Sequence, residues 1–152
     1  MTAETTRTTA GAAGTRIDIG YLLAKASQRW NELLGESFRA SGYDEVRPSY
    51  GSVLVPLFED DGLRMTELAA RARLAKQTMT TMVRVVERAG LVARRPDPDD
   101  ARATRVYLTK RGRAFQPIAT RELAQLERRV SARLGDRRTA ALRAALTQIT
   151  EL

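Results

Sequence analysis

A chain of 152 residues with a 43% hydrophobic share is long enough for one domain with its own core, and no stretch of it approaches the run of about 18 apolar residues that a membrane span needs. The absence of Cys excludes thiol oxidation as a sensing chemistry. Together with the absence of His, it argues against a zinc or copper site and against His- or Cys-based catalysis, so no enzyme activity, cofactor or metal is expected. The formal net charge of +8 favours a polyanionic partner. All but three of the 26 basic residues are Arg, a bias that coding alone can produce, so where the charge falls matters more than its sum.

In chain order, residues 1–15 are rich in Thr, Ala and Gly, lack an apolar period, and read as a disordered tail. The start of the chain has no apolar signal core, so a cytoplasmic protein is expected. Residues 16–152 then read as a single domain. From Ile17 to about Ala40, Ile19, Leu22, Leu23, Ala26, Trp30, Leu33, Leu34 and Phe38 form a helical stripe that Gly42 closes. Pro48 suits the first turn of the next helix, which carries Val53, Leu54, Leu57 and Phe58 inward. Pro56 should kink that helix by removing the bond to Ser52, and Asp61-Gly62 should end it. Glu59-Asp60-Asp61 has no ligand spacing and reads as a helix-end loop.

The most informative stretch follows. Thr66 is a plausible N-cap for a short helix bearing Leu68, Ala69, Ala72 and Leu74. A turn at 73–75 leads to a second helix, Lys76 to Arg88, whose residues Met79, Met82, Val83 and Val86 make one buried stripe, and Gly90 ends it in a left-handed cap. Lys76, Gln77, Thr78, Thr80, Thr81 and Arg84 are left facing outward, cationic or hydrogen-bonding side chains suited to base edges and phosphates in a major groove. Next, residues 91–95 and 104–108 read as strands around Pro96-Asp97-Pro98-Asp99-Asp100, which makes a β-hairpin. Its acidic tip is flanked by Arg94, Arg95, Arg102 and Arg105. The Asp groups are expected to organise the loop and hold Arg side chains in place, leaving Arg102 to reach a minor groove. Two short helices followed by such a hairpin make a winged helix-turn-helix, assigned to residues 47–109.

Thr109 caps a helix expected to run to about Leu134 with Phe115, Ile118, Ala119, Leu123, Leu126 and Val130 on its apolar side. Gly135-Asp136 ends it and starts a last helix with Leu142, Leu146, Ile149 and Leu152. The fold class is therefore mostly α, a winged domain with a small β-hairpin flanked by helices at both ends. A winged domain of this size needs no such flanks, so the stripes of residues 17–41 and 112–152 want another surface. A second copy is the economical occupant, although the stripes could also fold back on the chain's own core. A two-fold dimer would set its reading helices about 34 Å apart on a pseudo-palindromic duplex.

These residues resemble the MarR family of transcriptional regulators. The match runs over Glu67-Leu68-Ala69, the helix Lys76 to Met79 and on to Glu87-Arg88-Ala89-Gly90-Leu91-Val92, the wing Arg94 to Arg102, and Leu108-Thr109 before Gly112. The resemblance implies that Asp100 and Arg102 belong to the wing, with the Arg contacting DNA, and that the terminal helices interlock into a homodimer. It also implies a possible small organic effector, such as an aromatic acid, between those helices and the winged domain. Arg29, Trp30 and Tyr50 are the candidate effector residues, since an aromatic wall with a guanidinium suits an aryl carboxylate, although Trp30 lies on the apolar stripe and suits the core better, and Arg29 suits a solvated position better. The chain departs from the family at Arg73, where many relatives carry Gly, and at Ala75, where many carry a Ser cap. The expected function is a specific repressor released by that effector. The alternative is a winged-helix architectural DNA-binding or protein-interaction module with no specific operator.

Overall fold

The computed structural model describes residues 17–152, so the expected tail lies outside the described residues. Helix α1 spans Ile19–Ala40, two residues shorter at its start than the stripe suggested, because Asp18 takes the cap and its Oδ1 accepts the Tyr21 amide at 2.8 Å. Gly42, at φ +86°, turns the chain out of it. Pro48 does not open the next α-helix as expected. It opens a single 3-10 turn, Pro48–Tyr50, closed by the Gly51 amide on the Pro48 carbonyl, and α2 (Gly51–Glu59) follows. That helix runs on through Pro56, which is itself buried.

A two-residue strand that the sequence did not announce, β1 (Leu63–Arg64), leads straight into α3 (Met65–Arg71). Thr66 is therefore not the cap. Arg64 occupies that position because β1 holds its backbone in the sheet, and Glu67 Oε2 accepts the Arg64 amide at 2.8 Å. Helix α4 (Lys76–Arg88) starts and ends where the sequence predicts, and Gly90 at φ +81° carries the chain beyond it. Strands β2 (Val92–Pro96) and β3 (Thr104–Leu108) form the hairpin, paired from Val92 with Leu108 to Pro96 with Thr104. Leu91 stays outside β2 because its amide is spent on the Val86 carbonyl at the end of α4. With β1 on the far side of β3, the sheet has three antiparallel strands in the order β1-β3-β2.

Thr109 caps α5 (Lys110–Leu134), its Oγ1 accepting the Gly112 amide at 3.1 Å, and Gly135 separates α5 from α6 (Asp136–Thr150). Gly112 is required by close approach: a Cβ there would run into the Leu91 carbonyl, so α5 is pressed against the backbone that leads into the wing. The core lies under the winged unit, where Leu68, Met79, Val83, Val86, Leu91 and Val106 are fully buried. It extends to α1 and α5 through Phe115, whose ring meets Phe38 edge-on at 4.9 Å and Tyr43 at 5.0 Å. Helix α6 buries nothing.

Candidate nucleic-acid interface

The connection from α3 to α4 is held by Leu74 donating to the Ala69 carbonyl and Arg73 donating to Ala70. Arg73 sits at φ +52°, the one non-glycine residue with positive φ among those described. The family's usual glycine would adopt this geometry without cost, whereas a side chain there costs about 1–2 kcal/mol. Ala75 makes no side-chain cap for α4, so the departure noted at that position leaves the first amides of α4 open.

Helix α4 turns Met79, Val83 and Val86 into the core and leaves Lys76, Gln77, Thr78, Thr81 and Arg84 exposed, with Thr80 half-buried. Met82 is half-buried and packs against the core. The hydroxyls of Thr80 and Thr81 donate to the carbonyls of Lys76 and Gln77 at 2.9 and 3.1 Å, four residues back. Their protons are thereby committed, and toward a duplex both residues offer an acceptor oxygen and a methyl group.

A groove of about 490 Å³ runs between α4, the wing and the start of α3. Six residues singled out in the sequence share it: Lys76, Thr80 and Arg84 from the helix, and Arg94, Asp100 and Arg102 from the wing. Gln77, Thr78 and Thr81 lie on α4 outside it. Arg95 is not on this groove either; it sits over the Tyr107 ring at 5.5 Å on the opposite face of the hairpin from Arg94, as the two-residue alternation of a strand requires. Arg94 is already engaged, its amide and Nε both donating to the Glu87 carboxylate. Lys76 and Arg84 have no carboxylate partner among the described ion pairs.

The wing is organised by two aspartates. Asp97 is the hub, with its side chain fully buried. Its Oδ1 accepts the Asp99 amide at 2.8 Å, and its Oδ2 accepts Arg64 Nε at 2.6 Å and Arg105 Nε at 2.9 Å. The Asp99 amide, and then Arg64 and Arg105, hold the Asp97 carboxyl below its ordinary range against the opposing effect of burial. At the tip, Asp100 Oδ1 accepts the Arg102 amide at 3.0 Å, while the Arg102 side chain stands 94% exposed. Arg64 was not visible in the sequence as a site residue. Its only signal there was a cation at the start of a short helix, and the carboxylate it serves lies 33 residues away.

The effector candidates come together only in part. A cavity of about 210 Å³ between α1, the 3-10 turn, α2 and α5 is walled by Trp30, Phe38, Phe58 and Phe115, with Asn31 and Arg47 as polar members. Trp30 is on that wall as expected. Arg29 and Tyr50 are not: Arg29 pairs with Glu32 one turn along α1 at 3.1 Å, and Tyr50 packs against the core. Arg47 is the guanidinium that the fold brings to this cavity.

At the end of α2, Asp60 pairs with Arg71 and Asp61 with Arg113, each at 2.9 Å. Among the described residues no group of three His, Cys, Asp or Glu is placed to hold a metal ion, and no helix is long and apolar enough to cross a membrane.

The family model that matches the chain is that of the MarR family, over residues 48–104. Among curated proteins, the chain is 38% identical over 78 residues to the HTH-type transcriptional repressor Rv2887 of Mycobacterium tuberculosis, covering 51% of this chain and 56% of that one. It is 32% identical over 105 residues to the HTH-type transcriptional repressor YetL of Bacillus subtilis, covering 64% and 61%. The chain thus spans little more than half the length of these curated relatives. Among solved structures it is similar to the transcriptional repressor CouR bound to a 23-mer DNA duplex, with a TM-score of 0.75, 28% identity, and 88% and 92% of the two chains covered. The relatives matched are transcriptional regulators.

Proposed function

We propose, from the premise that this chain belongs to the MarR family, that it is a homodimeric, sequence-specific DNA-binding regulator of transcription in the cytoplasm. In this reading it acts as a repressor released by a small organic effector and carries out no catalysis. The observation that carries the proposal is the groove: two rigid elements aim Lys76, Arg84 and Arg102, none of them tightly paired, at one concave surface free of competing acid except Asp100. The relatives named as repressors, and the similar repressor held on a duplex, support the same role.

With α4 in the major groove, Lys76 and Arg84 can donate to guanine N7 and O6 or to phosphate, and the back-bonded Thr80 and Thr81 can accept from an adenine or cytosine amino group or pack on a thymine methyl. The wing then follows the backbone and places Arg102 in the neighbouring minor groove, where an A·T tract concentrates negative potential. The exposed Leu142, Leu146 and Ile149 of α6, with Ile19 and Leu22 of α1, supply the apolar face that a second copy would cover.

For the effector, the Trp30 cavity is large enough for a compact aromatic ligand, and Arg47 can pair with its carboxylate. The wall of that cavity belongs to α1 and α5, and α5 is pressed on the chain that leads into the wing, so an occupant that spreads the wall would shift the reading head. The architectural alternative is favoured by one observation, the excess of Arg over the whole chain.

Fluorescence anisotropy against the DNA upstream of its own gene and a shuffled copy of it, at two salt concentrations, separates the two. A specific regulator prefers its site by about 10³-fold or more. Equal, salt-labile binding to both duplexes would favour the architectural reading.

A further inference from the structure

We infer that Arg64 is a phosphate-contacting residue of the DNA interface, aimed by Asp97, and that the cluster joining α3 to the wing is a built anion site rather than a structural clamp alone. The inference rests on the DNA-binding reading and adds to it a residue outside both the reading helix and the wing.

Charge balance leads to it. One buried carboxylate, Asp97, holds two guanidiniums, so the cluster carries a surplus of one positive charge. The surplus is not shared evenly. Arg105 donates through Nε to Asp97 and through Nη1 to the Gly62 carbonyl, which commits it to the interior of the sheet. Arg64 donates through Nε alone, leaving its two terminal nitrogens without a partner among the described hydrogen bonds. Its side chain is the more exposed of the two, at 38% against 28%, and it lines the same groove as Lys76, Arg84 and Arg102. A guanidinium fixed at Nε and open at its fork is prepared for a bidentate phosphate contact, because little rotamer freedom is left to lose on binding.

The neighbouring acids leave the fork itself open. Asp100 is paired with Arg102, and Glu67, whose carboxylate keeps its charge while accepting the Arg64 amide, makes no hydrogen bond to the Arg64 side chain among the described residues. The position also fits a backbone contact, since Arg64 lies at the junction of α3 and the sheet, on the groove wall between the major-groove helix and the minor-groove arm. A phosphate strand passing from one to the other would cross it.

The test is the salt dependence of binding to a mixed-sequence duplex of about 30 base pairs, three helical turns, measured by anisotropy for the wild type, Arg64→Ala, Arg64→Lys and Asp97→Asn. Each phosphate contact contributes about 0.9 to the slope of log K against log salt, so Arg64→Ala should flatten the slope by about 0.9 per head and about 1.8 for a dimer. Arg64→Lys should retain most of the slope. Asp97→Asn keeps both cations and should weaken binding without flattening it.

A purely structural Arg64 would act only by loosening the wing, as Asp97→Asn does, and a slope in Arg64→Ala no flatter than in Asp97→Asn would overturn the inference. Undiminished affinity in Asp97→Asn would overturn the aiming role of Asp97. A wild type that fails to distinguish its operator from a shuffled copy but shows the slope loss in Arg64→Ala would sink specific regulation and keep this contact. A wild type with no duplex binding would sink both.

Discussion

The winged unit and the helices that flank it solve the same problem in opposite ways. Every long apolar stripe between α2 and the start of α5 finds its complement within the chain: Leu54, Leu57, Leu68, Met79, Val83 and Val86 are buried almost completely. The outer ends of the chain do not. Ile19 is 70% exposed and Leu22 54%, and α6 presents Leu142, Leu146 and Ile149 at about 40% each. One region closes its apolar surface within the chain, and the other leaves it open. The winged unit can therefore be built by one chain, whereas in the proposed dimer its placement on DNA would rest on the surface that one chain leaves open.

The comparison can be broken most severely at the seam between the regions. Gly112→Ala should destabilise the fold by more than about 4 kcal/mol, because the added Cβ meets the Leu91 carbonyl and neither backbone can yield; urea unfolding or loss of soluble expression reads this. Next come matched truncations in the two regions. Leu68→Ala should cost about 2–5 kcal/mol at any protein concentration, as a fully buried leucine does. Leu146→Asp, which lies outside the buried core, should change the denaturant unfolding of the winged unit within the full chain little but make sedimentation shift toward the monomer and weaken operator binding. A Leu146→Asp protein that stays dimeric would place the interface elsewhere.

A pH series sharpens the account of the wing. The folded carboxyl of Asp97 lies below its ordinary value, so its contribution to stability is fully present above the unfolded pKa of about 3.9 and is lost as pH falls through the lower folded value. Asp97→Asn should therefore be less stable than the wild type at neutral pH, and the difference should close in acid; denaturant midpoints at the two pH values measure it. The smallest effect is expected at Arg73→Gly. Relief of the left-handed strain, about 1–2 kcal/mol, is opposed by the greater freedom of an unfolded glycine, about 0.4–1 kcal/mol, and by the lost hydrogen bond to the Thr150 carbonyl. The melting temperature should move by only a few degrees.

What the sequence revealed and what it hid divide along a physical line. Helix α4 was legible to the residue because an apolar period, a cationic face and a glycine cap all agree over Lys76 to Gly90, and Thr109 announced α5 through its hydroxyl. These are local signals. Strand β1 was invisible because two residues cannot alternate, and once it formed it moved the start of α3 ahead of Thr66. The Asp97 cluster was half legible: aspartates holding arginines could be expected from the wing alone, but not that Arg64 would be one of them. Arg29 and Tyr50 lie off the Trp30 cavity for the same reason. Nothing local ranks Arg29 above or below Arg47, and only the packing of α1 against the 3-10 turn decides which guanidinium meets the Trp30 cavity.

In the proposed dimer, two closed reading heads are held one helical turn apart by the open helices. Selection of bound sequences from a pool of randomised duplexes with the full chain tests it most directly. The account expects an enriched pseudo-palindrome whose half-sites are centred about 10–10.5 base pairs apart, flanked by A·T-rich steps where Arg102 would enter. An unrepeated single site, or a pool that enriches nothing while still binding tightly at low salt, would contradict it.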